Sequence, residues 1–306
     1  MAASSTSDAA DAASIAPRHL VLLVLMNLVW GLNLIASKIG VAQFPPILFT
    51  ALRFGSLALF LLPLLKIHRG QMGNLFLAAM LTGPAAFSLL FLGVYYAEDA
   101  ATVAIASQMS VPFSTLLSIW LLGETIRWRR TLGITLAFGG MVIISFDPRV
   151  FAYWEGLVLV VASTFFGALG LIFVKRLHNI KALELQSWIA VAGGSTLMLM
   201  SLMFEQGQWD AIQAADWKAW TALAFTAVMS SLLAHTAWYY LVSKYPVTSL
   251  SPITLLSPLF GITFGVTLLH DQLTARMLLG GAVTLVGVFI VVMREKRLVD
   301  TGTVAH

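Results

Sequence analysis

Runs of about twenty apolar residues, the length a helix needs to cross the hydrocarbon of a bilayer, recur ten times along this chain. They fall at about 20–41, 46–65, 74–96, 101–122, 131–146, 156–174, 184–204, 217–242, 248–269 and 277–293. No other feature constrains the fold as strongly, because in lipid each spanning segment has to satisfy its own backbone N–H and C=O groups. The connections are short and leave no room for a soluble domain. Composition agrees: 59% of the 306 residues are hydrophobic and 10% are charged, with a mean hydropathy of +0.88, against about 25% charged in a water-soluble domain. An ordinary cytosolic enzyme, a disordered chain and a fibrous one are thereby excluded. The lack of cysteine excludes a disulfide framework, an iron–sulfur site and a thiolate zinc site. Neither a metal nor a cofactor is expected.

A pI near 9.5 suggests nucleic acid only until the charges are located. The Lys and Arg residues sit in short clusters between apolar runs, and none is long enough to track a phosphate backbone. With the N-terminus inside, the inner segments hold Arg18, Lys66, Arg69, Arg127, Arg129, Arg130, Lys175, Arg176, Lys181, Lys244, Arg294, Lys296 and Arg297. The outer segments hold only Lys38, Arg149, Lys218 and Arg276. Positive charge stays inside, so both termini are expected in the cytoplasm. Residues 1–19 read as a disordered cytoplasmic tail rather than a signal peptide, since residues 1–16 lack a basic segment and the first apolar run is too long. Residues 294–306 read as a second cytoplasmic tail.

The second half of the chain echoes the first. Asn27, Trp30-Gly31, Leu34 and Ser37 stand at the spacing of Ser163, Phe166-Gly167, Gly170 and Phe173. Pro112, Glu124, Gly133 and Gly140 recur as Pro258, Asp271, Gly280 and Gly287, and Tyr95-Tyr96 is echoed by Tyr239-Tyr240. Residues 20–147 and 155–293 are thus expected to be two repeats of five spans each. An odd number of spans forces the second copy to insert upside down. Inverted repeats of this kind build secondary transporters whose substrate sits near mid-membrane.

The motifs Trp30-Gly31, Phe49-x-x-x-Arg53-Phe54 and Pro112…Leu122-Gly123-Glu124…Gly133…Gly140 resemble the drug/metabolite transporter superfamily, and within it the ten-helix branch with two five-helix units. The resemblance covers about residues 20–293 and implies an exporter of the bacterial inner membrane, with exporters of aromatic amino acids the nearest match. One departure is His270-Asp271 where the first repeat has Gly123-Glu124.

Polar stripes at helical spacing mark where a solute would lie. The first run carries Asn27, Trp30, Asn33 and Ser37 on one face, flanked by Lys38; the third carries Ser88, Phe91 and Tyr95; the fourth carries Ser107, Ser110, Ser114, Thr115 and Ser118, with Gln108 at the edge. The sixth aligns Ser163, Phe166, Gly167 and Gly170; the eighth aligns Ser231, His235 and Trp238; the ninth places Thr254 and Ser257 close together. For the serines of the fourth run and for Gly167 and Gly170, close helix packing explains the pattern as well as cavity lining does. Trp30, Asn33, Tyr95, Gln108, Phe166, His235 and Trp238 suit a lining better: most are large and carry polar atoms that need partners in hydrocarbon. Lys38 serves either as a counter-charge for a carboxylate or as an anchor snorkelling to the outer headgroups.

Aromatic walls with amides, hydroxyls and few fixed charges suit a neutral amino acid such as Phe, Tyr, Trp, Met or Thr, and disfavour a nucleotide. Other exporters of the same superfamily, for cationic drugs, purines or sugars, are the alternative; a cation exporter would need an acid in the cavity, and no stripe contains one. His235 is read as a neutral, hydrogen-bonded histidine, although its side chain titrates near neutrality. Arg53 is read as bonding carbonyls or a neighbouring helix, and Glu124 and Asp271 as capping or anchoring helix ends. No pair of acids lies deep in a run, which argues against a carboxylate relay for protons and for facilitated movement down a gradient, or for a coupling that the sequence does not display. Nothing in the chain matches an intramembrane protease, a retinal-type receptor or a channel filter. Pro112 and Pro258 occupy equivalent places and are expected to act as hinges at which the third and fourth, and the eighth and ninth, helices bend. The partners expected are a small amino-acid substrate and the lipid bilayer, with the protein a monomer.

Overall fold

The structure, a computed structural model, describes residues 15–97, 106–107, 109–126, 128–145, 154–268 and 275–301. Among these residues every regular element is helical and there is no strand. Six stretches are long and apolar enough to cross a membrane: Pro17–Val41, Pro46–Leu64, Met72–Leu90, Trp154–Lys175, Ala182–Phe204 and Val247–Leu268. Shorter apolar helices cover Ser110–Leu122, Thr131–Ile143 and Leu278–Val291.

In chain order the helices are α1 (Pro17–Val41), α2 (Pro46–Leu61), α3 (residues 72–97), α4 (Ser110–Leu122), α5 (Trp128–Ser145), α6 (Trp154–Lys175), α7 (Ala182–Phe204), the short α8 (Gln208–Ala214), α9 (residues 217–244), α10 (residues 247–268) and α11 (Ala275–Thr301). The last helix continues past Met293 as far as Thr301, into the stretch read from sequence as a tail. Three rods change winding part-way. A π segment interrupts α3 at Leu81–Ala85 and a longer one interrupts α9 at Thr226–His235, while α10 opens through a 3-10 segment at Ser251–Leu255. Pro84 accounts for the first, because its missing N–H and its ring cannot fit an unbroken α-helix. The π segments recur in α3 and α9, which occupy corresponding places in the two halves, and such segments gather at functional sites.

The packing repeats itself when the second set of helices is exchanged for the first. α2 lies along α7 and α5 along α11; α6 packs against α3 and α4, as α1 packs against α9 and α10. The α2–α7 pair is antiparallel. The Glu205 carboxylate beyond the end of α7 accepts the Ile47 and Leu48 N–H groups at the start of α2, at 2.7 and 2.8 Å, while Lys66 beyond α2 meets Glu184 at the start of α7 at 2.8 Å. The α5–α11 pair is antiparallel as well, with Gly133 facing Gly287 and Gly140 facing Gly280. A β-carbon placed on Gly140 would lie 2.5 Å from the Gly280 carbonyl oxygen, so only glycine lets the two backbones come this close.

Glu124, just beyond α4, repeats the device of Glu205. Its two oxygens accept the Val247 and Thr248 N–H groups at 2.8 and 2.9 Å. Both capped helices begin after a proline, and a carboxylate at a helix N-terminus satisfies orphan donors and complements the dipole. The capping role read for Glu124 is therefore realised, whereas Asp271 lies outside the described residues. Exposed tryptophans stand at both ends of the bundle, Trp120 and Trp128 at the Glu124 end and Trp154, Trp209 and Trp217 at the other, as aromatic rings do at the two membrane–water boundaries.

Candidate functional site

Between the helices lies a cavity of about 230 Å³. α1 contributes Trp30, α9 contributes His235, Trp238 and Tyr239, α3 contributes Thr82 at its π segment, and α6 contributes Gly167, Ala168 and Leu171. Ser110, Val111 and Ser114 of α4 and Ser251 and Thr254 of α10 complete the lining. No charged side chain lines the cavity among the described residues. The walls are apolar rings and aliphatic carbon, with scattered hydroxyls as polar points.

The aromatic side is a packed cluster. The Trp30 ring stands 5.1 Å from the His235 ring and 6.0 Å, edge-on, from Trp238; His235 in turn lies 6.3 Å from Tyr239. His235 Nδ1 sits 2.7 Å from the Ser230 carbonyl oxygen and 3.3 Å from the Trp30 indole nitrogen. One nitrogen cannot serve both as donor and acceptor. The shorter contact decides: a carbonyl can only accept, so Nδ1 carries the proton and donates to it. This fixes the tautomer, leaves Nε2 as the acceptor, and gives the Trp30 N–H no lone pair at Nδ1, the nitrogen it approaches. Trp30 therefore offers an uncommitted donor beside the cavity. The histidine is hydrogen-bonded, as read from sequence.

Of the residues expected to line a site, the structure brings Trp30, His235 and Trp238 together. Phe166 does not line the cavity; its ring lies against Phe165 with centroids 5.7 Å apart. Asn33 does not line it either, and its Oδ1 is buried with no hydrogen-bond partner among the described residues. Lys38 and Tyr95 lie on α1 and α3, but their side chains are outside the described set, and so is Gln108. Pro112 and Pro258 are each the third residue of a 13-residue α-helix, Ser110–Leu122 and Leu256–Leu268. At Pro112 the missing N–H is one of the unpaired donors of a first turn and costs little, whereas Pro258 follows the 3-10 segment inside a continuous rod. The irregular backbone in α10 lies just before its proline, at Ser251–Leu255.

The serines of the fourth run divide. Ser110 and Ser114 line the cavity, and the Ser114 hydroxyl, which donates to its own helix at the Val111 carbonyl, also bonds the Ser251 hydroxyl at 2.9 Å across to α10, so it is glue and lining at once. Ser118 turns back to its own helix at the Thr115 carbonyl. Gly167 lines the cavity, whereas Gly170 is pressed against Thr82. Ser231 faces away, to Arg53. Sequence reading missed Thr82, Tyr239 and Ser251 as lining. The Tyr95-Tyr96 and Tyr239-Tyr240 echo was the available signal for Tyr239; for Thr82, nearby Pro84 hinted at irregular backbone.

A helical bundle with this packing, this apolar surface and a central, weakly polar hollow is that of a membrane transporter. The comparisons agree. The EamA-like transporter family matches residues 18–146 and again 154–293. The chain belongs to this family, part of the drug/metabolite transporter superfamily, and carries two copies of its repeat. It is 26% identical over 297 residues to a probable amino-acid metabolite efflux pump of Escherichia coli, covering 92% of this chain and 98% of that one. It is 23% identical over 282 residues to an uncharacterized transporter of Bacillus subtilis, covering 88% and 94%. A solved crystal structure shares the fold with a TM-score of 0.78 at 16% identity, over 92% of this chain and 98% of the other.

Proposed function

We propose that this protein exports neutral amino acids, the aromatic ones together with Met or Thr, across a bacterial inner membrane by alternating access. The single observation that carries the reading is the cavity. At about 230 Å³ it lies just below the range of about 300–1,000 Å³ common for small-molecule pockets, which suits one amino acid and excludes a nucleotide or a bulky dye. Trp30 and Trp238 supply faces for an apolar side chain, and hydroxyls with the Trp30 N–H supply weak polar contacts to the charged ends. Weak binding favours release. The relatives named as amino-acid metabolite efflux pumps support the same substrate class.

Ten passes with both termini in the cytoplasm follow from the apolar runs and the Lys/Arg bias. The antiparallel pairing of α2 with α7 and of α5 with α11 supports two inverted repeats, which rock about the cavity. The α3–α4 and α9–α10 pairs bend during this movement, at the π and 3-10 joints and at Pro112 and Pro258. Asn33, Lys38, Tyr95, Gln108 and Phe166 belong to the wider path of the solute as those helices move. The protein works as a monomer.

The test is uptake of labelled Phe, Met, Thr, Lys and Glu into liposomes holding the purified protein, with and without a pH gradient. Phe, Met and Thr should enter, Lys and Glu should lag, and a pH gradient should add little. Uptake of Lys and exclusion of Phe would sink the reading.

A further inference from the structure

Arg53 is the most unusual group in the membrane region. It lies inside α2, an apolar helix of 16 residues, and is 6% exposed. A guanidinium keeps its proton under all ordinary conditions. A buried cation is normally paired with a carboxylate, because an isolated charge in low dielectric is costly. Arg53 is not so paired: among the described residues, no carboxylate forms an ion pair with it. Its partners are neutral. Nε donates to the Ser231 hydroxyl, Nη2 donates to the Ser230 hydroxyl at 3.1 Å, and the guanidinium stands 5.8 and 5.9 Å from the Phe54 and Phe87 ring centres.

These neutral partners lead directly to the cavity. Ser230 and Ser231 sit on the π segment of α9, and the Ser230 carbonyl is the acceptor that orients His235. One residue, Ser230, thus joins the two groups: its hydroxyl holds the guanidinium at 3.1 Å and its carbonyl holds His235, which lines the hollow, at 2.7 Å. In a low dielectric, with hydroxyls and rings as its contacts among the described residues, the Arg53 charge is weakly screened. A cation thus stands directly behind the His235 wall of the cavity, although no charged side chain lines the cavity among the described residues.

We propose that Arg53 is a specificity-determining residue: its uncompensated charge draws a solute's carboxylate to the His235 side of the cavity and rejects solutes whose only charge is positive. This rests on the export of amino acids proposed above. Serine hydroxyls suit the role, since they hold the guanidinium without cancelling it, whereas an Asp or Glu would cancel it. The Trp30 N–H on the same side supplies a donor for the attracted carboxylate.

The experiment is uptake of labelled Phe into liposomes, competed by unlabelled Phe, by phenyllactate, which keeps the carboxylate and lacks the ammonium, and by phenylalaninamide, which keeps the ammonium and lacks the carboxylate. The parent protein should prefer both carboxylates over the amide by at least tenfold. Arg53→Gln should lose most of that preference, and Arg53→Lys should retain it. Ser231→Asp sets a carboxylate against the guanidinium; it removes the field while keeping the side chain, and should match Arg53→Gln even if the latter fails to fold. A purely structural arginine would change the amount of folded protein and leave the carboxylate-to-amide ratio alone. Should Ser231→Asp, or a folded Arg53→Gln, discriminate as the parent does, the inference falls while the export reading stands. Parent vesicles that move no amino acid would overturn the export reading and this inference with it.

Discussion

The two sides of the cavity are built on equivalent helices yet carry opposite chemistry. α1 and α9, which pack together, supply Trp30, His235, Trp238 and Tyr239; α3 and α6, which pack together in the corresponding way, supply Thr82, Gly167, Ala168 and Leu171. Trp30 and Phe166 stand at matching places in the repeats, but Trp30 faces the hollow while Phe166 lies against Phe165. The frame is thus duplicated and the site is not. Glycine seams and capped helix starts recur because both halves need the same packing to stand in a membrane. A solute with a different group at each end needs two different walls.

The strongest way to break this contrast is to remove one ring from each wall. Trp30→Ala should lower the transport efficiency for Phe by about 30-fold or more, the scale of a buried aromatic anchor worth ~2 kcal/mol or above. Phe166→Ala should change it by less than about threefold, the effect of a ring outside the cavity. Equal losses in liposome uptake would mean that both walls grip the solute.

Next comes the duplicated frame. Gly140→Leu should destabilise the protein by about 1–3 kcal/mol, since the added carbons run into the α11 backbone. Gly139→Leu is the control, because a β-carbon there meets nothing within 4 Å. Melting curves in detergent should separate the two, and substrate preference should be the same in both. A lower melting temperature for Gly139→Leu than for Gly140→Leu would contradict the seam.

If the halves rock as equals, Pro112→Ala and Pro258→Ala should shift the uptake rate to a similar degree, by about fivefold for a barrier change of ~1 kcal/mol, with insertion intact. A large effect at one proline and none at the other would show that the movement is as one-sided as the site.

The smallest effect lies outside both walls. Asp216 caps the start of α9, accepting the Ala219 and Lys218 N–H groups, both at 2.9 Å. Above all, the Ala219 N–H holds its carboxyl below the usual Asp range. A depressed carboxyl stabilises the fold above its ordinary pKa, and that contribution is lost as the pH falls through the folded value. Asp216→Asn should therefore leave the melting temperature near pH 7 almost unchanged, because Asn caps nearly as well. It should also flatten the decline on acidification. An acid limb as steep as the parent's would show that the cap contributes nothing measurable.

Much of this protein was legible in the residues alone. Apolar runs near bilayer length, the Lys/Arg clusters and the echo from Pro112…Gly140 to Pro258…Gly287 carry the helical class, the family and the repeat, because backbone satisfaction in lipid and close helix approach act locally and leave regular patterns. Trp30, His235 and Trp238 stood out as large rings with polar atoms on the polar stripes of otherwise apolar runs. The tertiary structure alone decided which stripe faces the cavity and which faces a neighbour. Helical spacing says that Ser231 and His235 share a face, but not that one holds Arg53 while the other lines the hollow. Nor does it say that Phe166 turns away. The choice on α9 hangs on a π segment that changes the winding of the helix, and on a contact between residues some 180 positions apart, Arg53 with Ser231; for Phe166 it is the packing of its ring against Phe165.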